Sequence, residues 1–316
     1  MQSPFQPCAA VARRQFLQTA AGSVAGATLL GAVTKGQPAT AAEADPQTSQ
    51  AVAQPGRTPN TPFAVNVEMW FGNRSFLEKI ELAAEMGFPA IEFWPFENKP
   101  LKEAAELLKR RQVAVSQFTA WPFGKELNNP QSNHDAFVRK IEESCDVADQ
   151  LDCKLFTVVL GDDIEGLTKA EMHEAAVRGL RRAAPICEKR GKTIIVEAMN
   201  PRNHPGHCLY GSTDAINICK AVGSPSVKIN WDLYHMQIVE GDLCMRMREG
   251  FDYIGYLQLA DNPGRHEPGT GEINYTRVFR EIKALGYQGY VGLECTPRDD
   301  DWSAARRIYE ADTWQA

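Results

Sequence analysis

The stretch Lys169–Glu197, KAEMHEAAVRGLRRAAPICEKRGKTIIVE, contains the unit from which the whole chain is built. An amphipathic helical pattern runs from Lys169 to Arg190, Gly191 closes it, and Thr193-Ile194-Ile195-Val196-Glu197 follows as a short apolar strand. A glycine just past a helix takes up the left-handed backbone that ends it and hands the chain to the next strand. The unit repeats in both directions. Strands are expected at Phe63–Val67, Ala90–Phe93, Val113–Phe118, Leu155–Val159, Val227–Trp231, Ile254–Leu259 and Tyr290–Glu294. Helices are expected at Ser75–Met86, Leu101–Arg111, Asp135–Leu151, Thr213–Ala221 and Tyr275–Leu285, with Gly87 and Gly286 at two further helix exits. Eight strand–helix units from Phe63 onward predict an α/β fold of the (β/α)8 TIM-barrel type. A doubly wound sheet would need fewer strands and often a Gly-x-Gly-x-x-Gly turn, which this sequence lacks.

Composition sets the outer limits. Of 316 residues, 43% are hydrophobic and 23% charged, which is enough apolar material for a large core. Lys plus Arg number 34 against 40 Asp plus Glu, a formal charge of -6, so no basic face for a nucleic-acid partner is expected. Residues 1–42 read as a twin-arginine export signal. Arg13-Arg14 precede Phe16-Leu17 and a weakly apolar stretch from Thr19 to Val33, and small residues around Ala39-Thr40-Ala41 offer a cleavage site. Residues 43–62 read as a polar, Pro-punctuated linker, and 63–316 as the catalytic barrel, exported to the periplasm without a membrane span in the mature chain. Cys8 leaves with the leader, and seven cysteines without a Cys-x-x-Cys pair remain. An odd set in a large domain predicts no obligatory disulfide.

Barrel chemistry sits at the C-terminal ends of the strands. Four successive strands finish on an oxygen-bearing side chain: Glu197, Asp232, Gln258 and Glu294. Three carboxylates converging in one mouth repel strongly unless a cation sits among them. The set holds no thiolate or imidazole, which favours Mg²⁺ or Mn²⁺ over Zn²⁺. His235 could hydrogen-bond a substrate oxygen or orient the metal's surroundings. Arg202 and Arg265 could hold a substrate carboxylate as a planar fork, or form loop salt bridges. Glu267 and Glu272 are expected to fix their loop through backbone N–H groups, and His204 and His207 to serve a turn. Trp70-Phe71, Trp94-Pro95-Phe96 and Trp121-Pro122-Phe123 follow the first three strands and could stack on a substrate or pack the rim.

The segments Glu197-Ala198-Met199-Asn200-Pro201-Arg202, Asp232-Leu233-Tyr234-His235, Gln258-Leu259-Ala260-Asp261, Pro263 to Glu272 and Gly292-Leu293-Glu294 resemble the hydroxypyruvate isomerase family of the xylose isomerase-like barrels. The resemblance spans Phe63 to Pro297. It implies a divalent cation held by Glu197, Asp232, Gln258 and Glu294, with the two glutamates as acid and base. It also implies isomerisation of a small hydroxy-carbonyl or sugar substrate, with hydroxypyruvate converted to tartronate semialdehyde. Gln258 stands where sugar 3-epimerases of the superfamily commonly carry His. A ketose 3-epimerase, a keto-inositol dehydratase and a non-catalytic sugar-binding barrel are the alternatives. A homo-oligomer is compatible with all of these readings.

Overall fold

A computed structural model describes residues 53–315. The twin-arginine segment and the first part of the linker lie outside the described residues. Eight strands, β1 (Phe63–Asn66), β2 (Ala90–Phe93), β3 (Ala114–Trp121), β4 (Leu155–Val158), β5 (Thr193–Glu197), β6 (Val227–Asp232), β7 (Ile254–Leu259) and β8 (Val291–Leu293), pair in sequence order. All pairs are parallel, and β8 closes onto β1, Val65 beside Leu293. The expected (β/α)8 barrel is the fold of the described residues.

Helices α1 (Phe76–Glu85), α2 (Leu101–Arg111), α3 (Asp135–Gln150), α4 (Lys169–Arg190), α5 (Gly211–Val222), α6 (Leu233–Val239), α7 (Leu243–Gly250), α8 (Tyr275–Ala284) and α9 (Asp301–Asp312) surround it. Local chemistry explains several of their ends. Ser75 with Glu78, and Thr168 with Glu171, form reciprocal capping boxes that satisfy the first free N–H groups of α1 and α4. Gly191 ends α4 at φ 62, a left-handed conformation that glycine takes without a Cβ clash. At the end of α2 the same conformation falls to Gln112, φ 56, so a helix without a terminal glycine still stops there.

Between sheet and helices lies an apolar layer in which Phe93, Phe118 and Phe156 lie side by side, ring centroids 5.7 and 5.9 Å apart. The seven cysteines of the described residues are free thiols, six of them buried. At the N-terminal end of the barrel, fully buried Asp312 clasps the segment before β1. Its Oδ2 accepts from the N–H groups of Asn60 (2.8 Å) and Thr61 (2.9 Å), and its Oδ1 from the Thr61 hydroxyl (2.7 Å). Among the described residues, no helix is long and apolar enough to cross a membrane.

Candidate active site

Strand register decides which side chains share a layer. Pairing sets Asn66 beside Glu92, Glu197 beside Asn230, Asp232 beside Gln258, and Gln258 beside Gly292. The floor of the site is accordingly polar and is closed into a ring of hydrogen bonds. Gln117 Nε2 donates to Glu92 (3.3 Å), the Thr157 hydroxyl to Gln117 (2.9 Å), and Asn230 Nδ2 to both Thr157 (3.4 Å) and Gln258 Oε1 (2.5 Å). Gln258 Nε2 returns to Glu92 Oε1 at 2.8 Å, an atom that also accepts from Asn66 (3.0 Å). Gly292 is required here, because a Cβ on it would collide with the Glu92 carboxyl. The members bond one another in turn, which is how polar groups are tolerated when buried, and within the ring Asn230 Oδ1 alone is left without a partner. Glu92, buried within an otherwise apolar strand, is a member of the site that the sequence reading passed over.

Above this floor stand the strand-end carboxylates. Asp232 serves twice: Oδ1 accepts from Tyr234 N at 2.8 Å and caps α6, leaving Oδ2 toward the mouth. Oδ2 lies 3.4 Å from His235 Nε2 and 3.5 Å from Arg265 Nη2. Glu197 Oε1 lies 3.8 Å from the same imidazole nitrogen. Burial, then the charges of Glu294 and Asp232, raise the Glu197 carboxyl well above the usual range, with Arg265 offsetting part of it. Burial pushes Asp232 up to about 7, opposed by Arg265, and burial with Glu294 pushes Glu92 to about 7. Three acids holding their protons too tightly mark a place where positive charge is wanted.

Glu197, Asp232 and His235 offer atoms within 4.8 Å of one another, a spacing that suits a metal. The hydrogen bonds nevertheless assign His235 another part. Asn200 Oδ1 accepts from the N–H groups of Arg202 (3.0 Å) and Asn203 (2.9 Å), so its Nδ2 must face His235 Nδ1, at 2.6 Å. A donor on Nδ1 leaves the neutral ring's proton on Nε2. That N–H makes no hydrogen bond among the described residues, although Asp232 Oδ2 lies 3.4 Å away, and the His235 side chain lines the cavity. Burial holds the imidazole neutral, its affinity for a second proton well below normal. His235 is built to donate one hydrogen bond rather than to ligate. The remaining donors are carboxylate and amide oxygens, which fit a hard divalent cation.

Glu294 follows β8 directly and is held at both oxygens. Trp94 Nε1 donates to Oε1 at 2.9 Å, and Arg265 Nη2 to Oε2 at 2.6 Å. Arg265 also lies over the Tyr234 ring, 5.1 Å from its centroid. Glu197, His235, Gln258, Arg265 and Glu294 all line one cavity of about 270 Å³, with Asp232 directly behind them. Its walls include Trp94, Pro95, Pro122, Phe123, Met199 and His204. The aromatic pairs read from the sequence therefore divide. Trp94 and Phe123 border the opening, whereas Trp70, Phe71, Phe96 and Trp121 are packed inside the barrel wall.

Other expected residues land elsewhere. Arg202 does not line the cavity; its Nη1 donates to Asn262 Oδ1 at 3.2 Å. His204 does line it and stacks on Phe123, centroids 4.8 Å apart, while His207 is buried against its own turn, Nδ1 3.0 Å from Leu209 O. Glu267 accepts one backbone N–H, from Arg298 (2.9 Å), and pairs with Arg307. Glu272 meets the side chains of Asn262 and Gln237. The loop's own N–H groups are collected by Asp261, and Glu272 accepts no backbone N–H, which corrects the expectation for it. Glu267, by contrast, does tie the loop to a backbone N–H, that of Arg298.

The raised carboxyls give a pH signature. A carboxyl whose folded value exceeds its unfolded one stabilises the fold at low pH and loses that contribution as pH rises through the folded value. For Glu92 and Asp232 that window runs from their ordinary 4.5 and 3.8 up to about 7. His134, His204, His207 and His235, all held below their ordinary value chiefly by burial, work in the opposite sense below 6.5, so the trend of the carboxyls stands clear only above that pH. The surface carboxylates held low by partners, such as Asp149 and Asp299, titrate beneath the window. In a chelator, the melting temperature should therefore fall between about pH 6.5 and about pH 8. Calorimetry showing a flat or rising profile would mean that these carboxyls are ionised in the folded chain.

Residues 80–311 match the family described as xylose isomerase-like TIM barrel. The hydroxypyruvate isomerase of Escherichia coli K12 is 32% identical over 241 residues, 75% of this chain and 93% of that protein. A 2-oxo-tetronate isomerase of Cupriavidus necator is 33% identical over 247 residues, with the same coverage. Among solved structures, a Brucella melitensis protein described as an AP endonuclease of family 2 superposes with a TM-score of 0.73 at 31% identity. That match covers 78% of this chain and 96% of that one. The chain belongs to the xylose isomerase-like TIM barrel family and is an isomerase.

Proposed function

We propose that this enzyme interconverts a short α-hydroxy ketone and its hydroxy-aldehyde isomer, with hydroxypyruvate and tartronate semialdehyde as the pair. The observation that carries the reading is the placement of Glu197 and Glu294 on one small cavity beside neutral His235 and cationic Arg265. Moving a carbonyl to the adjacent carbon requires removing a proton α to it and delivering one to the neighbouring carbon, through an enediolate. Glu197, with its raised proton affinity, is suited to take the first proton. Glu294, steadied by Trp94 and Arg265, faces the same substrate and exchanges the second. His235 Nε2–H supports the oxygen on which charge develops. Arg265 receives the substrate carboxylate.

Glu197, Asp232, Gln258 and Glu294 would hold a divalent cation, Mg²⁺ or Mn²⁺, which supplies Lewis-acid stabilisation of that charge when bound. Gln258 uses its amide to complete the floor, and the second lone pair of its carbonyl oxygen remains for this role.

The Cupriavidus relative favours a second reading, the same reaction on a four-carbon 2-oxo acid. The test is a screen of hydroxypyruvate, 2-oxo-tetronate, ketohexoses, inososes and abasic DNA with Mg²⁺, Mn²⁺ and Zn²⁺. Turnover of hydroxypyruvate is expected. Selective action on ketohexoses or inososes would replace the reading by epimerisation or dehydration, incision of abasic DNA by nuclease chemistry, and binding without turnover by a sugar-binding barrel.

We further propose that residues 1–42 direct export by the twin-arginine route to the periplasm, as Arg13-Arg14-Gln15-Phe16-Leu17 suggest. The double variant Arg13→Lys, Arg14→Lys should leave unprocessed protein in the cytoplasm. Periplasmic delivery of the variant at the normal level would refute the signal.

A further inference from the structure

The loop between β7 and α8 carries Arg265, and a single side chain organises it. Asp261 is fully buried, and its carboxylate accepts five backbone N–H groups. Oδ1 takes those of Asn262 (3.0 Å) and Ile273 (3.1 Å); Oδ2 takes those of Gly269 (3.0 Å), Thr270 (3.1 Å) and Gly271 (2.8 Å). Its backbone completes a tight lobe: Asp261 N donates to His266 O at 2.7 Å, and Arg265 N to Asp261 O at 3.1 Å. Asp261 thus ties the beginning, crest and end of the loop to one point.

Arg265 sits in that lobe at φ 57, the left-handed region that a side chain with a Cβ resists. Its guanidinium reaches back over the mouth to Glu294 (2.6 Å) and Asp232 (3.5 Å), and its carbonyl accepts from Thr296 N at 3.0 Å. The backbone conformation aims the side chain, and the lobe bonded to Asp261 maintains that conformation.

We propose that Asp261 is a positioning residue for Arg265, holding its guanidinium against Glu294 and Asp232. A carboxylate is needed because all five partners are donors. In Asp261→Asn the amide nitrogen must face either two or three N–H groups, and those bonds are lost.

Two readouts test this. The first needs no substrate: trypsin cuts after an arginine only when its side chain and backbone are free to enter the protease. The wild-type chain should resist cleavage between Arg265 and His266. Asp261→Asn should be cut there roughly tenfold faster or more, the scale of one lost charge-assisted hydrogen bond on local opening. The fragment beginning at His266, weighed against cuts elsewhere, separates this from global unfolding. If Asp261→Asn does not fold, Gly271→Ala serves instead, because its Cβ would press on Asp261 Oδ1 at 2.6 Å and on Asn262 O. Cleavage at the wild-type rate in the folded variant would overturn the proposal.

The second readout rests on the proposed function and uses isomerase kinetics. Asp261→Asn and Arg265→Gln should change KM and kcat in the same proportion, and the double variant should be no worse than the poorer single. Losses that multiply would show that Asp261 acts otherwise than through Arg265. A wild-type chain inactive on every substrate offered would sink the functional reading, and the cleavage comparison would still decide this one.

Discussion

Glu197→Gln and Glu294→Gln should each lower turnover by roughly 10²–10⁴-fold. Glutamine keeps the shape and one oxygen but cannot carry the proton. The two groups line the same cavity, and each is useless to the reaction without the other. The double variant should therefore be little worse than the poorer single, as for residues that act as a unit. Asp232→Asn should act through weaker cation binding, with partial recovery at high Mg²⁺ or Mn²⁺. Because Glu197 is repelled by Glu294 and Asp232, Glu197→Gln should also melt higher than wild type in a chelator. The deciding measurement is exchange of the substrate α-proton with deuterated solvent. Wild-type exchange in a metal-loaded double variant would acquit both glutamates and turn attention to His235.

Chelation should abolish activity while leaving the barrel folded. The apolar layer of Phe93, Phe118 and Phe156 lies outside the mouth, and the side chains of the polar floor bond one another, with Asn230 Oδ1 alone left over. Neither depends on a cation. What is lost is relief of repulsion among Glu197, Asp232 and Glu294, so only a modest drop in melting temperature is expected. Far-ultraviolet dichroism and calorimetry, each with and without chelator, measure this directly. Collapse of the secondary structure would make the cation part of the fold.

The barrel was legible because its elements are local. Apolar runs of strand length, glycines at helix exits and carboxylates at strand ends each leave a mark in a few neighbouring residues. Features that depend on pairing between distant strands left none. β3 continues to Trp121, past the expected Phe118, because its last residues find β4 partners such as Val158. α6 is seven residues long, and its cap, Asp232, had already been read as a ligand. Glu92 lies within Ala90-Ile91-Glu92-Phe93, and only register shows that Gly292 leaves it room. The two arginines look alike in sequence, yet a left-handed residue turns Arg265 inward while Arg202 meets Asn262. Asp261 could have been noticed: an acid before Asn-Pro-Gly and a second glycine-rich turn is a natural collector of loop amides.

The clasp of Asp312 on Asn60 and Thr61 has a topological consequence. It sews the start and finish of the barrel together at the face away from the mouth, so the order of the units has no privileged origin. A short bridge from residue 312 to residue 60 should give a circular permutant. New ends could open at Gly223-Ser224, where Gly223 has no side chain pressing on it. For the same reason, Asn60 and Asp312, where the described chain enters and leaves the barrel, meet at the far pole from Glu197 and Glu294.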